Sequence, residues 1–99
     1  MPSILILGGG AAGLMAAVTA AENGATVTVL ERNEKLGRKL YITGKGRCNC
    51  TNVCAPDAFR QNVVRNPRFL YSALEALPPE ALLEKLAAWG CPTVVERGN

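Results

Sequence analysis

The clearest pattern of apolar and polar positions lies in the first third of the chain. Ser3 to Leu7 is a short apolar run, with Ile4-Leu5-Ile6-Leu7 at its centre, and it breaks abruptly into Gly8-Gly9-Gly10. A continuous apolar run of this length, bounded by glycine, reads as a strand of a parallel sheet, where both faces are covered. Small and apolar residues then dominate from Ala11 to about Asn23, with Gly24 just beyond them. That arrangement predicts a helix with small residues towards the sheet, closed by Gly24 at the C′ position. Thr26-Val27-Thr28-Val29-Leu30 is rich in β-branched residues and bounded by turn signals. It predicts a second strand, parallel to the first across a right-handed crossover.

Beyond Glu31 the pattern changes. Arg32 to Asn52 has no sustained period and contains Gly37, Gly44 and Gly46, so it reads as a long loop, a kind of segment that is usually functional. Ala55 to about Asn62 predicts a short helix. Asn66-Pro67 supplies an N-cap and a first-turn proline for a stronger helix carrying Phe69, Leu70, Ala73, Leu74 and Leu77 along one face. Pro78-Pro79 ends that helix and opens another, with Leu82, Leu83, Leu86 and Ala87 as a core-packing stripe up to Gly90. Thr93 to Glu96 predicts a short final strand. The expected organisation is therefore a βαβ unit over residues 1–31, a loop over 32–54 and a helical segment over 55–99.

Gly8, Gly10 and Gly13 fall at the spacing G-x-G-x-x-G directly after the first strand and at the start of the helix. In a dinucleotide-binding βαβ unit the first glycine permits the tight turn, the second lets the backbone approach a pyrophosphate, and the third lets helix and strand pack closely. The helix beginning at Ala11 and Ala12 would aim its free N–H groups and positive dipole end at the phosphates. Glu31 lies 18 residues beyond Gly13, at the C-terminal tip of the second strand. A carboxylate there accepts hydrogen bonds from an adenosine ribose, and its charge opposes a 2′-phosphate.

Composition adjusts this picture in three ways. At 99 residues the chain is one domain at most, and a chain of this size buries only about 60 to 65% of its unfolded surface. The net charge of +3 is unevenly placed: residues 32–68 hold nine bases against Glu34 and Asp57, net +7, while both flanks are acidic. A basic segment after a phosphate-binding turn suits an anionic cofactor, and the lack of interleaved aromatics argues against nucleic acid. No basic residue precedes Arg32 and the apolar runs fall short of a membrane span, so neither a signal peptide nor membrane insertion is expected, and the cytoplasm is the expected compartment.

The chain has four cysteines and no histidine. Cys48, Cys50 and Cys54 give C-x-C-x3-C, three thiolates whose fourth partner would have to be Cys91, which disfavours a metal site. Neither Cys48–Cys50 nor Cys50–Cys54 has the spacing of a flavin-linked dithiol, so ordinary free thiols are expected. Without histidine the chain offers no general base near neutrality, and no catalytic residue is assigned.

The order G8-G-G-A-A-G13, then E31-R-N, then G37-R-K-L-Y-I-T-G-K-G-R-C-N-C-T-N52 resembles the amino terminus of a bacterial flavoprotein family, the NAD(P)/FAD-dependent oxidoreductases of the BaiN or aminoacetone-oxidase-like type. The T-G-x-G-R-C-N-x-T-N portion is specific, and the match runs through most of the chain. The resemblance implies an α/β fold: the N-terminal βαβ piece of a Rossmann-like FAD/NAD(P)-binding domain, followed by helices and incomplete as a domain. It implies FAD as cofactor, with NAD(P)H as electron donor in a full-length protein, and a chain that lacks activity alone. Read through it, Gly8, Gly10, Ala11, Ala12 and Gly13 line the FAD pyrophosphate, and Glu31 with Arg32 holds the adenosine ribose. Lys39, Thr43, Gly44, Arg47, Cys48 and Asn49 match the second motif, whose loop runs along the cofactor towards the flavin. Cys50 departs from the family pattern, which is apolar there, and takes no role from it. Two other readings stay open: an NAD-binding oxidoreductase module, and a non-enzymatic oligomer that self-associates through surface exposed by truncation.

Overall fold

A computed structural model of the chain describes residues 1–43 and 48–96. The chain divides into two compact units, Met1–Asn49 and Cys50–Asn99. Residues 32–49 of the basic loop thus belong to the same unit as the βαβ element.

In the first unit, strand β1 (Ser3–Leu7), helix α1 (Ala11–Glu22) and strand β2 (Thr26–Leu30) follow the predicted order. The strands pair in parallel, Ser3 opposite Thr26 through Leu7 opposite Leu30. Helix α1 packs on both strands, with Ile6, Val27 and Val29 half-buried beneath it. Asn23 caps the helix and Gly24 turns the chain with φ +91, a conformation that glycine adopts without steric cost. Because side chains alternate along a strand, Leu5, Leu7 and Leu30 project from the other face, where they are more than half exposed.

One expectation here is corrected. Residues 32–54 are not wholly irregular: Gly37, left-handed at φ +65, caps a short helix α2 (Arg38–Ile42). Five residues are too few to show a helical period in sequence, and the left-handed glycine sets the new chain direction.

The second unit contains α3 (Pro56–Gln61), a 3-10 turn over Pro67–Leu70, α4 (Tyr71–Ala76) and α5 (Pro79–Ala88). Proline opens α3 and α5 at the position where its missing N–H costs nothing. Leu74, at 8% exposure, and Pro79 are the buried apolar side chains among the described residues. Arg60 joins the elements: its guanidinium pairs with Asp57, lies 3.6 Å from Glu75, and stands 4.8 Å from the centre of the Tyr71 ring. Leu82, Leu83 and Leu86 of the predicted stripe are half-buried, whereas Ala87 is exposed.

Two further expectations fail in this unit. Asn66 does not cap an α-helix, because it is left-handed at φ 55 with no capping bond. Residues 67–70 wind with about three residues per turn rather than 3.6, which turns Phe69 outward to 85% exposure. Thr93–Glu96 forms no strand. A strand needs a paired neighbour, and the described residues supply none to this segment. No helix among the described residues is long and apolar enough to cross a membrane.

Candidate functional site

The site is built where β1 ends. Gly8 takes φ +101, and its N–H donates to the Leu30 carbonyl at 2.7 Å, so the chain leaves the sheet only after one more rung of the ladder. A Cβ on Gly13 would collide with the Gly8 carbonyl oxygen and lie 3.4 Å from the Ile6 side chain. Close packing of α1 on β1 therefore depends on glycine there. Gly10 differs: its φ of −84 and ψ of −167 suit any residue, and a Cβ on it would meet no protein atom within 4 Å. The space beside Gly10 is open, as a backbone that approaches a ligand requires.

Gly10 is also the N-cap of α1, with no side chain capping the helix. The first helical bond is donated by Leu14 to the Gly10 carbonyl at 2.9 Å, which leaves the N–H groups of Ala11, Ala12 and Gly13 without helical partners. These groups and the helix dipole form an anion-binding end.

Glu31 follows the last residue of β2. Its Oε1 accepts a hydrogen bond from the Gly9 N–H at 2.8 Å and its Oε2 one from the Asn33 N–H at 2.8 Å. These bonds, Asn33 first and Gly9 second, hold the carboxyl below its ordinary range. The group is thus charged at neutral pH. A carboxylate has about four acceptor positions, so each oxygen retains capacity for one hydroxyl donor. Gly8, Leu30, Glu31, Arg32 and Asn33 line one open cleft of about 540 Å³, within the range of about 300–1,000 Å³ usual for small-molecule sites.

Of the residues singled out from sequence, Gly8, Gly10, Ala11, Ala12, Gly13, Glu31 and Arg32 lie at the turn, the helix start or the adjoining strand tip. Lys39 is exposed on α2 and Thr43 half-buried at its end; Cys48 and Asn49 are exposed, and none of these four lines the cleft. Gly44 and Arg47 lie outside the described residues. Cys48, Cys54 and Cys91 are free thiols. Sequence reasoning gave no site role to Gly9, Asn33, Leu36 or Gly37, although Gly9, Asn33 and Gly37 stand within the motifs quoted above. Gly9 is buried, with its carbonyl accepting the Gly37 N–H at 2.7 Å and its Cα against Leu36. The signals in the sequence were the run of three consecutive glycines and the places of Asn33 and Gly37 in the later motifs.

A strand, a left-handed glycine turn, an uncapped helix start and a charged carboxylate on the next parallel strand define a Rossmann-type nucleotide-binding βαβ unit. The chain belongs to the HI0933-like protein Rossmann domain family, whose model matches residues 2–99. This is in keeping with the family resemblance carried by its motifs. It is similar to the 3-dehydro-bile acid delta(4,6)-reductase of Clostridium scindens, 50% identical over 92 residues, or 91% of this chain and 22% of that protein. It is also similar to the ribosomal RNA dihydrouridine synthase of Haemophilus influenzae, 43% identical over 70 residues, or 71% of this chain and 17% of that protein. The Escherichia coli protein of the same name is 39% identical over 71 residues, again 71% of this chain and 17% of the relative. The chain spans about a fifth of the length of the curated relatives it matches.

Proposed function

We propose that the chain binds the ADP portion of FAD and serves a flavin-dependent oxidoreductase. The observation that carries this reading is the Glu31 carboxylate, charged and bonded to Gly9, beside a helix start with free N–H groups. Ala11, Ala12 and Gly13 would donate to the pyrophosphate, Gly10 would leave it room, and Glu31 would accept from the ribose hydroxyls. Arg32, exposed at the cleft, adds positive charge beside the ligand. When bound, the flavin supplies two-electron hydride chemistry. What this chain's own residues do is bind and orient. The names of the relatives, a reductase and two dihydrouridine synthases, support a reduction as the activity of the whole protein; NAD(P)H as its electron donor is what the family resemblance implies. Calorimetry tests the reading: FAD and ADP bind and NADP does not. Tighter binding of NAD than of FAD would replace this reading with an NAD-binding module.

A second reading, self-association, is favoured by Leu5, Leu7 and Leu30, which lie exposed on one face of the sheet. Light scattering shows a dimer if that face pairs, and a monomer if it does not.

A further inference from the structure

Gly9 occupies an unassigned position of the G-x-G-x-x-G spacing, yet both its N–H and its carbonyl are held by hydrogen bonds. It is buried between two exposed glycines. Its N–H donates to Glu31 Oε1 at 2.8 Å, its carbonyl accepts from the Gly37 N–H at 2.7 Å, and a Cβ on it would strike the Leu36 side chain. All three contacts come from one segment, Glu31 to Gly37. The second oxygen of Glu31 accepts from Asn33 at 2.8 Å, so the carboxylate that holds the turn also fixes the start of that segment. Gly37 is left-handed at φ +65, which only glycine, and to a lesser degree asparagine or aspartate, adopts readily.

We infer that residues 31–37 form a strap that preorganises the glycine turn for a nucleotide phosphate, with Leu36 and Gly37 as positioning residues acting through Gly9. The inference rests on the proposed nucleotide reading of the site. Three consecutive glycines carry the greatest backbone freedom of any tripeptide, and an unrestrained turn would sample many conformations. Only some of these leave Gly10 open beside the free N–H groups of α1. Apparent affinity falls in proportion to the competent fraction, so a strap that holds this fraction near one tightens binding without touching the ligand. Leu36 suits this role because it is 54% exposed and lies outside the sheet, so its contact with Gly9 can be removed without opening the strand ladder.

The test uses the 15N-labelled chain, its Leu36→Ala and Leu36→Met variants, amide hydrogen exchange, and ADP as the probe ligand. In the unliganded wild type, the Gly9 and Gly37 amides are protected. In Leu36→Ala both exchange at least about tenfold faster while the β1–β2 ladder amides are unchanged, ADP binds about tenfold more weakly, and Leu36→Met restores both properties; these losses correspond to a competent fraction reduced to about one-tenth. The strap is refuted if Gly9 and Gly37 exchange in the wild type as fast as exposed loop amides, or if Leu36→Ala leaves exchange and ADP affinity unchanged. Leu36-dependent protection in a chain that binds no ADP would uphold the strap and overturn the nucleotide reading instead.

Discussion

Replacing either Gly13 or Gly10 with alanine separates the packing role of the turn from its ligand role. At Gly13 the new Cβ would collide with the Gly8 carbonyl oxygen and reach the Gly8 carbonyl carbon at 3.0 Å. Those atoms are backbone and cannot rotate away, so α1 must lift from β1. Overpacking of this kind costs about 1–3 kcal/mol, and the severity of the contact places it near the top of that range. Alanine recovers about 1 kcal/mol of helix propensity. The net loss is about 2 kcal/mol, a fall of roughly 8–16 °C in melting temperature for a chain of this size. At Gly10 the backbone suits alanine and nothing lies within 4 Å of the new methyl group. That substitution costs no more than about 1 kcal/mol, the loss of a glycine N-cap to alanine, but places a methyl group in the proposed phosphate space, so ADP affinity falls. Circular dichroism melts and calorimetry on the same samples give both quantities. A Gly13→Ala melt within about 2 °C of the wild type, or a Gly10→Ala variant as unstable as Gly13→Ala, contradicts this division of roles.

Glu31 has a folded pKa below its ordinary value of 4.5 because the Asn33 and Gly9 N–H groups stabilise its charge. Its contribution to stability is therefore complete above pH 4.5 and lost as the pH falls through the lower folded value. Melts between pH 7 and pH 3 should show a steeper acid decline in the wild type than in Glu31→Gln, and parallel curves would contradict this. In the second unit, Leu74→Ala removes a buried leucine side chain. Its surroundings are only half-buried, so the cost sits at the low end for buried leucine, about 2 kcal/mol by urea unfolding. Phe69→Ala, at a site 85% exposed, changes stability by less than about 0.5 kcal/mol; a large loss would show that Phe69 is covered.

The βαβ element is legible in the sequence because its signals agree. The apolar run of β1, the glycine punctuation and the β-branched run of β2 all specify the same local structure, and Glu31 sits where the strand ends. The remainder depends on information that sequence pattern does not carry. Helix α2 is a single short element set by the left-handed Gly37, and a loop rich in glycine looks the same whether or not it contains one. Counting 3.6 residues per turn puts Phe69 on an apolar face, but its segment winds as a 3-10 turn. Thr93 to Glu96 has strand composition but no strand beside it. Gly9 and Leu36 are the most instructive omissions, because the motif names the glycines that shape the turn and the ligand space. The residues that hold the turn still act through contacts 22 and 27 positions apart, Gly9 to Glu31 and Gly9 to Leu36.

Titration of the 15N-labelled chain with ADP, followed by backbone amide shifts, locates the bound nucleotide residue by residue. Binding at the glycine turn predicts the largest shifts at Gly10, Ala11, Ala12 and Gly13 and at Glu31 to Asn33, with the helical unit from Cys50 onward unaffected. Shifts concentrated among Arg60, Arg68 and Tyr71 with a silent glycine turn, or no shifts at millimolar ADP, would contradict it.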